Sequence, residues 1–147
     1  MIYIESPTRY QPLAGEKALF LAGGITGCPD WQREMRQALG GTDWIALNPR
    51  RADFPIHDPN AALEQITWEY EHLRKATAIL FWFPCETICP IVLYELGAWS
   101  MTDKPLFVGV HPDYSRRRDV EIQTGLARSD VNVAYSLEEL AAVVRGD

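Results

Sequence analysis

The chain has 147 residues, which allows one domain and hardly two. Its 14 Lys and Arg against 20 Asp and Glu leave a formal charge of −6, while 47% apolar and 23% charged residues match an ordinary soluble globular protein. That charge argues against non-specific binding to nucleic acid or to an anionic membrane, and no apolar stretch nears the roughly 20 residues a bilayer span needs. Residues 1–10 lack the basic-then-apolar pattern of a secretory signal. Three cysteines are an odd, sparse set, which suggests reduced thiols and a cytoplasmic setting.

No internal repeat, low-complexity tract or Gly/Ser linker interrupts the chain, so residues 1–147 are expected to form a single domain. The N-terminal Ile2–Glu5 stretch suggests an extra edge strand. Lys17–Ala22 is a short apolar run stopped by Gly23-Gly24 and predicts a buried strand. Asp30–Leu39 predicts a helix with Asp30 as its N-cap. Trp44–Leu47 predicts a second short strand, and Asn48–Asn60, with three prolines, a loop.

From Ala61 to Ala76 the apolar residues Ala62, Leu63, Ile66, Tyr70 and Leu73 fall on one side of a helix. Thr77–Phe83 is apolar on both faces and predicts a central strand. Pro90–Met101 predicts a helix with proline in its first turn. Pro105–Val110 predicts a buried strand, Asp119–Ala127 a helix, Val131–Ala134 a short strand, and Ser136–Val144 a final helix opened by the capping pair Ser136 and Glu139. Strands that alternate with helices and are apolar on both faces imply an α/β sandwich around a parallel sheet. Ligands in such folds sit at the carboxyl ends of the strands, which directs attention to the loops after Ala22, Phe83 and Val110.

Glu95 is the sharpest chemical feature. It is the only charged residue between Thr87 and Thr102. A helix apolar nearly all round is buried, and a lone buried carboxylate costs several kcal/mol or holds its proton. It therefore faces a solvent gap or a subunit interface, pairs with an arginine, or is used. Glu69 is the second acid of interest. Glu71 and Glu64 lie on the polar side of their helix, whereas Glu69 borders the apolar stripe. It is either a boundary acid reaching water or a partner that meets Glu95 across the end of the strand between their helices. Such a carboxylate pair suits cleavage of a glycosidic bond with retention.

Gly23, Gly24 and Gly27 make a glycine-rich turn after the first strand, either a plain tight turn or a site of close ligand approach. The spacing fits neither a dinucleotide fingerprint nor a phosphate loop. Trp68, Trp82, Phe83 and Trp99 cluster near these elements; flat rings stack on nucleobases, although Trp82 and Phe83 read equally as core. Trp99, one turn beyond Glu95, is the better stacking candidate. Cys28, Cys85 and Cys89 do not have the spacing of a zinc site, and no metal is expected. The basic run Arg116–Arg118 is either a solvated loop or a phosphate contact, in the latter case with Thr26 and Gly27.

The motifs FLAGGITG, NPRR at Asn48–Arg51, Trp68-Glu69, ATAILFWFP, YELGAW at Tyr94–Trp99 and HPDYSRRRDVEIQTGLAR, in this order, resemble the nucleoside 2-deoxyribosyltransferase-like family over about residues 17–135. The resemblance implies a flavodoxin-like three-layer sandwich with a five-stranded parallel sheet, no metal or organic cofactor, and homo-oligomers in which a neighbour helps close the site. It makes Glu95 the nucleophile that attacks C1′ of a 2′-deoxynucleoside and carries the sugar to a second base. It places Glu69 where relatives usually carry an aspartate that contacts sugar or base, and leaves Glu86 as the one acid in the loop where relatives often have another. Gly23, Gly24, Thr26, Gly27, Trp68, Phe83, Glu86 and Trp99 are the expected substrate contacts. The partners implied are a nucleoside or nucleotide and a free nucleobase. Such a nucleophile must be ionised in a dry pocket, and hydrogen bonds from the Gly23–Gly27 backbone or from a tyrosine would hold it so. The alternatives are a hydrolase of nucleoside 5′-monophosphates and a nucleotide-binding sensor without catalysis.

Overall fold

Short apolar runs become strands here because glycine or proline stops them and helices cover both their faces. A computed structural model describes all residues, 1–147. In chain order the elements are β1 (Ile2–Glu5), β2 (Lys17–Gly23), α1 (Trp31–Ala38), β3 (Trp44–Asn48), α2 (Ala61–Lys75), β4 (Ala78–Phe83), α3 (Pro90–Ser100), β5 (Leu106–Val110), α4 (Arg117–Ala127) and α5 (Leu137–Arg145). The five strands form one parallel sheet in the order β1-β3-β2-β4-β5. The flavodoxin-like three-layer α/β arrangement is thus present, with Ile2–Glu5 as its edge strand.

Alternation along the strands divides the core into two. Phe20, Ile79, Phe81 and Val108 face a layer made by α2, α3 and α4, which contributes Trp68, Leu73, Val92, Leu96 and Val120. Leu19, Leu21, Leu80 and Trp82 face α1 and α5, which contribute Trp31, Met35 and Leu140. Caps fix the outer helices: Asp30 accepts from the Arg33 backbone N–H, and Ser136 Oγ accepts from Glu139 N at 3.1 Å while Glu139 returns a bond to Tyr135 N. No helix is long and apolar enough to cross a membrane.

Two expectations fail. Val131–Ala134 is not a strand; only Ala134 bridges to β5, through bonds to Val108 and Val110. Arg128 explains this: it ties the preceding turn to the carbonyls of Thr102 and Lys104, so the segment reaches the sheet edge at one residue only.

The second failure concerns α2. Most of its expected core stripe faces outward, with Leu63, Ile66 and Tyr70 all more than half exposed, while Leu73 is buried as expected. The sheet side is taken by Ala61, Trp68, His72 and Leu73. Residues 6–16 cause this by lying across that side of the helix. Trp68 Nε1 donates to Thr8 O, Tyr10 N donates to His72 Nε2 at 3.0 Å, and Lys75 Nζ donates to Tyr10 O. His72 stacks on Trp68 with ring centroids 3.9 Å apart, so two large polar-tipped rings are satisfied underneath while aliphatic side chains are left outside.

Candidate active site

The chain steps from β2 to β3 on one side, then returns through α2 to β4 on the other side of β2. This reversal opens a crevice at the carboxyl ends of β2 and β4, where Gly23 pairs in register with Trp82. Gly23 and Gly24 stand at its floor for steric reasons. A Cβ on Gly23 would lie 2.3 Å from the Trp31 ring, and one on Gly24 would lie 2.7 Å from Cys28 Sγ. Gly27 turns the loop with φ 74°. Trp31 Nε1 donates to Gly24 O at 3.0 Å, and Arg50 donates to the carbonyls of Ile25, Cys28 and Pro29 at 2.7–2.8 Å. Arg50, from the NPRR motif, is therefore the clamp on this loop. Its role was missed because a guanidinium that gathers carbonyls from a distant loop leaves no periodic signal in sequence.

Glu69 on α2 and Glu95 on α3 flank this crevice, since α2 leads into β4 and α3 leads out of it. Both are largely withdrawn from solvent. Burial pushes the Glu69 carboxyl up to about 7, against a lowering hydrogen bond from Gln65. Burial, and secondarily the Glu69 carboxylate, pushes Glu95 up to about 8. Glu95 joins none of the ion pairs, so pairing with an arginine is excluded. The expected hydrogen bonds from the glycine loop or a tyrosine are likewise not formed. With no cation beside either, burial shifts both carboxyls toward the protonated form.

The pair separates two cavities. One, of about 250 Å³, is lined by Gly23, Gly24, Thr26, Thr87 and Cys89 and by the first turn of α3. The other, of about 500 Å³, is lined by Ile66, Tyr70, Leu73, Arg74, Tyr94 and Trp99. Glu69, Ile91 and Glu95 belong to both walls. Arg74 lies 3.5 Å above the Tyr70 ring and 5.6 Å from Trp99, giving this second wall two aromatic faces and a cation. The start of α3 has no side-chain cap, so its free N–H groups and positive dipole end point at the first cavity.

Of the expected substrate contacts, Gly23, Gly24 and Thr26 line the first cavity and Trp99 the second. Gly27 shapes the loop without forming the wall. Trp68 and Phe83 line neither cavity: Trp68 is buried against Phe20 and His72, and Phe83 is fully buried 5.2 Å from Tyr114. Glu86 is exposed and lines neither cavity. Arg116 and Arg117 pair with Asp119 and Glu121 on α4, and no arginine of the 116–118 run lines the cavity that holds Thr26. Tyr70, Arg74 and Thr87 were overlooked. For Tyr70 the available signal was its place beside Glu69 on a stripe assigned wholly to core. No three His, Cys, Asp or Glu side chains converge to hold a metal ion.

Comparison with known proteins agrees with the motif-level resemblance. Residues 16–114 match the family model described as nucleoside 2-deoxyribosyltransferase like, two thirds of the chain and all of the crevice described above. No curated protein matches the sequence.

Proposed function

Since the chain belongs to the nucleoside 2-deoxyribosyltransferase-like family, we propose that it transfers a 2-deoxyribosyl group between nucleobases through a covalent ester on Glu95. The observation that carries this reading is the pair of largely withdrawn carboxyls, neither in an ion pair, at the junction of two unlike cavities. A nucleoside has two unlike halves joined by one reactive bond. The sugar suits the glycine-lined side, whose free N–H groups match hydroxyls. The base suits the aromatic side, between Tyr70 and Trp99.

The chemistry needs one proton on the pair. That proton rests on Glu95, the weaker acid; once it passes to Glu69, Glu95 attacks C1′ as a carboxylate and Glu69 donates the proton to the departing base nitrogen. The N-glycosidic bond breaks, its electron pair leaves with the base, and the sugar remains as an ester. A second base attacks the same carbon and frees Glu95, while Glu69 recovers a proton. Two inversions give net retention.

Neutral nucleosides are favoured over 5′-monophosphates. The titratable acids on the glycine-lined wall are Glu69 and Glu95, and no basic side chain lines it to pair with a phosphate dianion. A second copy of the chain is expected to cover the outer wall, where Ile66, Tyr70, Ile91 and Tyr94 are each more than half exposed around the aromatic cavity. An Ile66→Glu chain should then sediment as a monomer and lose activity, whereas an unchanged sedimentation coefficient would reject the shared site. The main experiment incubates the protein with a 2′-deoxynucleoside, with and without a second free base, and separates products by chromatography. New nucleoside that requires the added base is the expected result. Free base and sugar formed in water alone would mean a hydrolase, and binding without turnover a sensor.

A further inference from the structure

Two of the three free thiols meet beside the glycine-lined cavity, and one of them lines it. Cys28, half-buried, ends the loop after β2. Cys89, buried, is the N-cap of α3 and lines the cavity itself. Thr87 Oγ1 lies 3.2 Å from Cys89 Sγ and 3.7 Å from Cys28 Sγ. Both sulfurs close over Gly24, whose added methyl would stand 2.7 Å from one and 2.8 Å from the other. The two sulfurs therefore lie within about 5.5 Å of each other, the sum of those distances. Bonding requires roughly 2 Å between them, a gap that side-chain rotation has to close.

The backbone at Cys89 adds a second, independent observation. Its φ is 52°, the left-handed region, and Cys89 is the only non-glycine residue there. Its side chain caps nothing. Glycine would relieve the backbone, and Ser, Thr, Asp or Asn would cap the helix. A thiol at this position gives neither benefit and gains only its contact with Thr87 and Cys28. Cys85 contrasts with it: half-buried, it takes no part in this cluster.

We propose that Cys28 and Cys89 form a reversible redox modification site, oxidised by a peroxide to an intramolecular disulfide that fastens the loop after β2 to the start of α3. Cys28 reaches solvent and reacts first. Its thiolate attacks one peroxide oxygen, an S–O bond forms, the O–O bond breaks, and the released hydroxide takes the thiol proton and leaves as water. The Cys89 sulfur then attacks Cys28 sulfur, the S–O bond breaks, and a second water departs with the Cys89 proton. Two thiols are oxidised and one peroxide is reduced to two waters. The bond spans Gly24 and draws the loop against α3, which narrows the cavity on its glycine side.

This site does not depend on the transferase reading, and its test needs no turnover. The chain is treated with hydrogen peroxide, remaining thiols are alkylated, and peptides are mapped by mass spectrometry without reduction. The expected product is a Cys28–Cys89 linked peptide with Cys85 alkylated, reversed by dithiothreitol. Amide exchange over residues 24–28 should slow roughly tenfold on oxidation. A Cys89→Ser chain should instead accumulate a Cys28 sulfenic acid trapped by dimedone, while Cys85→Ser should behave as the parent. A linkage through Cys85, a linkage only between chains, or equal dimedone labelling of the parent and Cys89→Ser would overturn the proposal.

Discussion

The two sides of α2 each withdraw one ionisable group from water, and they treat it oppositely. On the sheet side, His72 is fully buried and both ring nitrogens are used. Tyr10 N donates to Nε2, so the proton sits on Nδ1 and is given to Trp68 O at 2.7 Å. Burial lowers its pKa, and the ring stays neutral in a bonded slot. Three residues earlier, on the side facing α3, Glu69 is withdrawn among apolar side chains with a second carboxyl, Glu95, as its charged neighbour. Burial is common to both; His72 has both polar atoms bonded, whereas Glu69 has only Gln65 and Glu95 has no donor. A satisfied buried group holds the fold together, whereas an unsatisfied one stores free energy that a ligand can release.

The sharpest way to break this contrast is through activity. Glu95→Gln should lower base exchange on the order of 10³-fold or more, about 4 kcal/mol of barrier, because no other side chain here can form the ester. Glu69→Gln should cost about 10²-fold and should abolish the alkaline limb of the pH profile. The intact pair needs one proton: below about 7 both groups are protonated and no nucleophile exists, and above about 8 both are ionised and no acid remains. A bell-shaped kcat/KM centred between these values is expected. Normal turnover by Glu95→Gln, measured by chromatography of the exchanged nucleoside, would remove the nucleophile assignment.

A smaller effect is expected at His72, and it should fall on stability instead. His72→Ala removes the stack on Trp68 and leaves the Tyr10 N–H and Trp68 C=O without partners, a loss of about 3 kcal/mol in denaturant melts. Residual activity per folded molecule should be unchanged. Loss of activity with intact stability would mean that the two sides of α2 do not divide their labour as argued.

The sequence made one side of this contrast legible and hid the other. Glu95 was conspicuous because a single charge in an oily helix has few explanations. The strands were legible because Thr77–Phe83 and its neighbours are apolar on both faces, and the caps Asp30 and Ser136 announce their helices. Periodicity failed on α2, where Ile66 and Tyr70 look like core and Trp68 and His72 decide the packing. The reason is physical: residues 6–16 supply hydrogen-bond partners for the ring tips, and no local pattern encodes a segment some 60 positions away. The same limit hid Arg50, whose carbonyl partners come from another loop.

The smallest effect tests the unsatisfied side without any substrate. A carboxyl whose pKa is raised by folding binds a proton that the unfolded chain has already lost. Between the unfolded value near 4.5 and the folded value of about 8 for Glu95, native protein therefore loses stability as pH rises. Glutamine has the same shape and no charge to desolvate, so Glu95→Gln should be more stable than the parent at pH 8.5 and nearly equal to it at pH 5. Partial solvent access reduces the expected gain to about 2 kcal/mol. Glu69→Gln should show the same sign with a window closing near 7. An acid held by a salt bridge would give the reverse slope, because its folded pKa falls and its removal costs stability at high pH. Thermal melts of the parent and the two variants at both pH values decide the matter: parent stability equal to or above that of Glu95→Gln at pH 8.5 would mean that Glu95 is satisfied after all, and the distinction between the two faces of α2 would collapse.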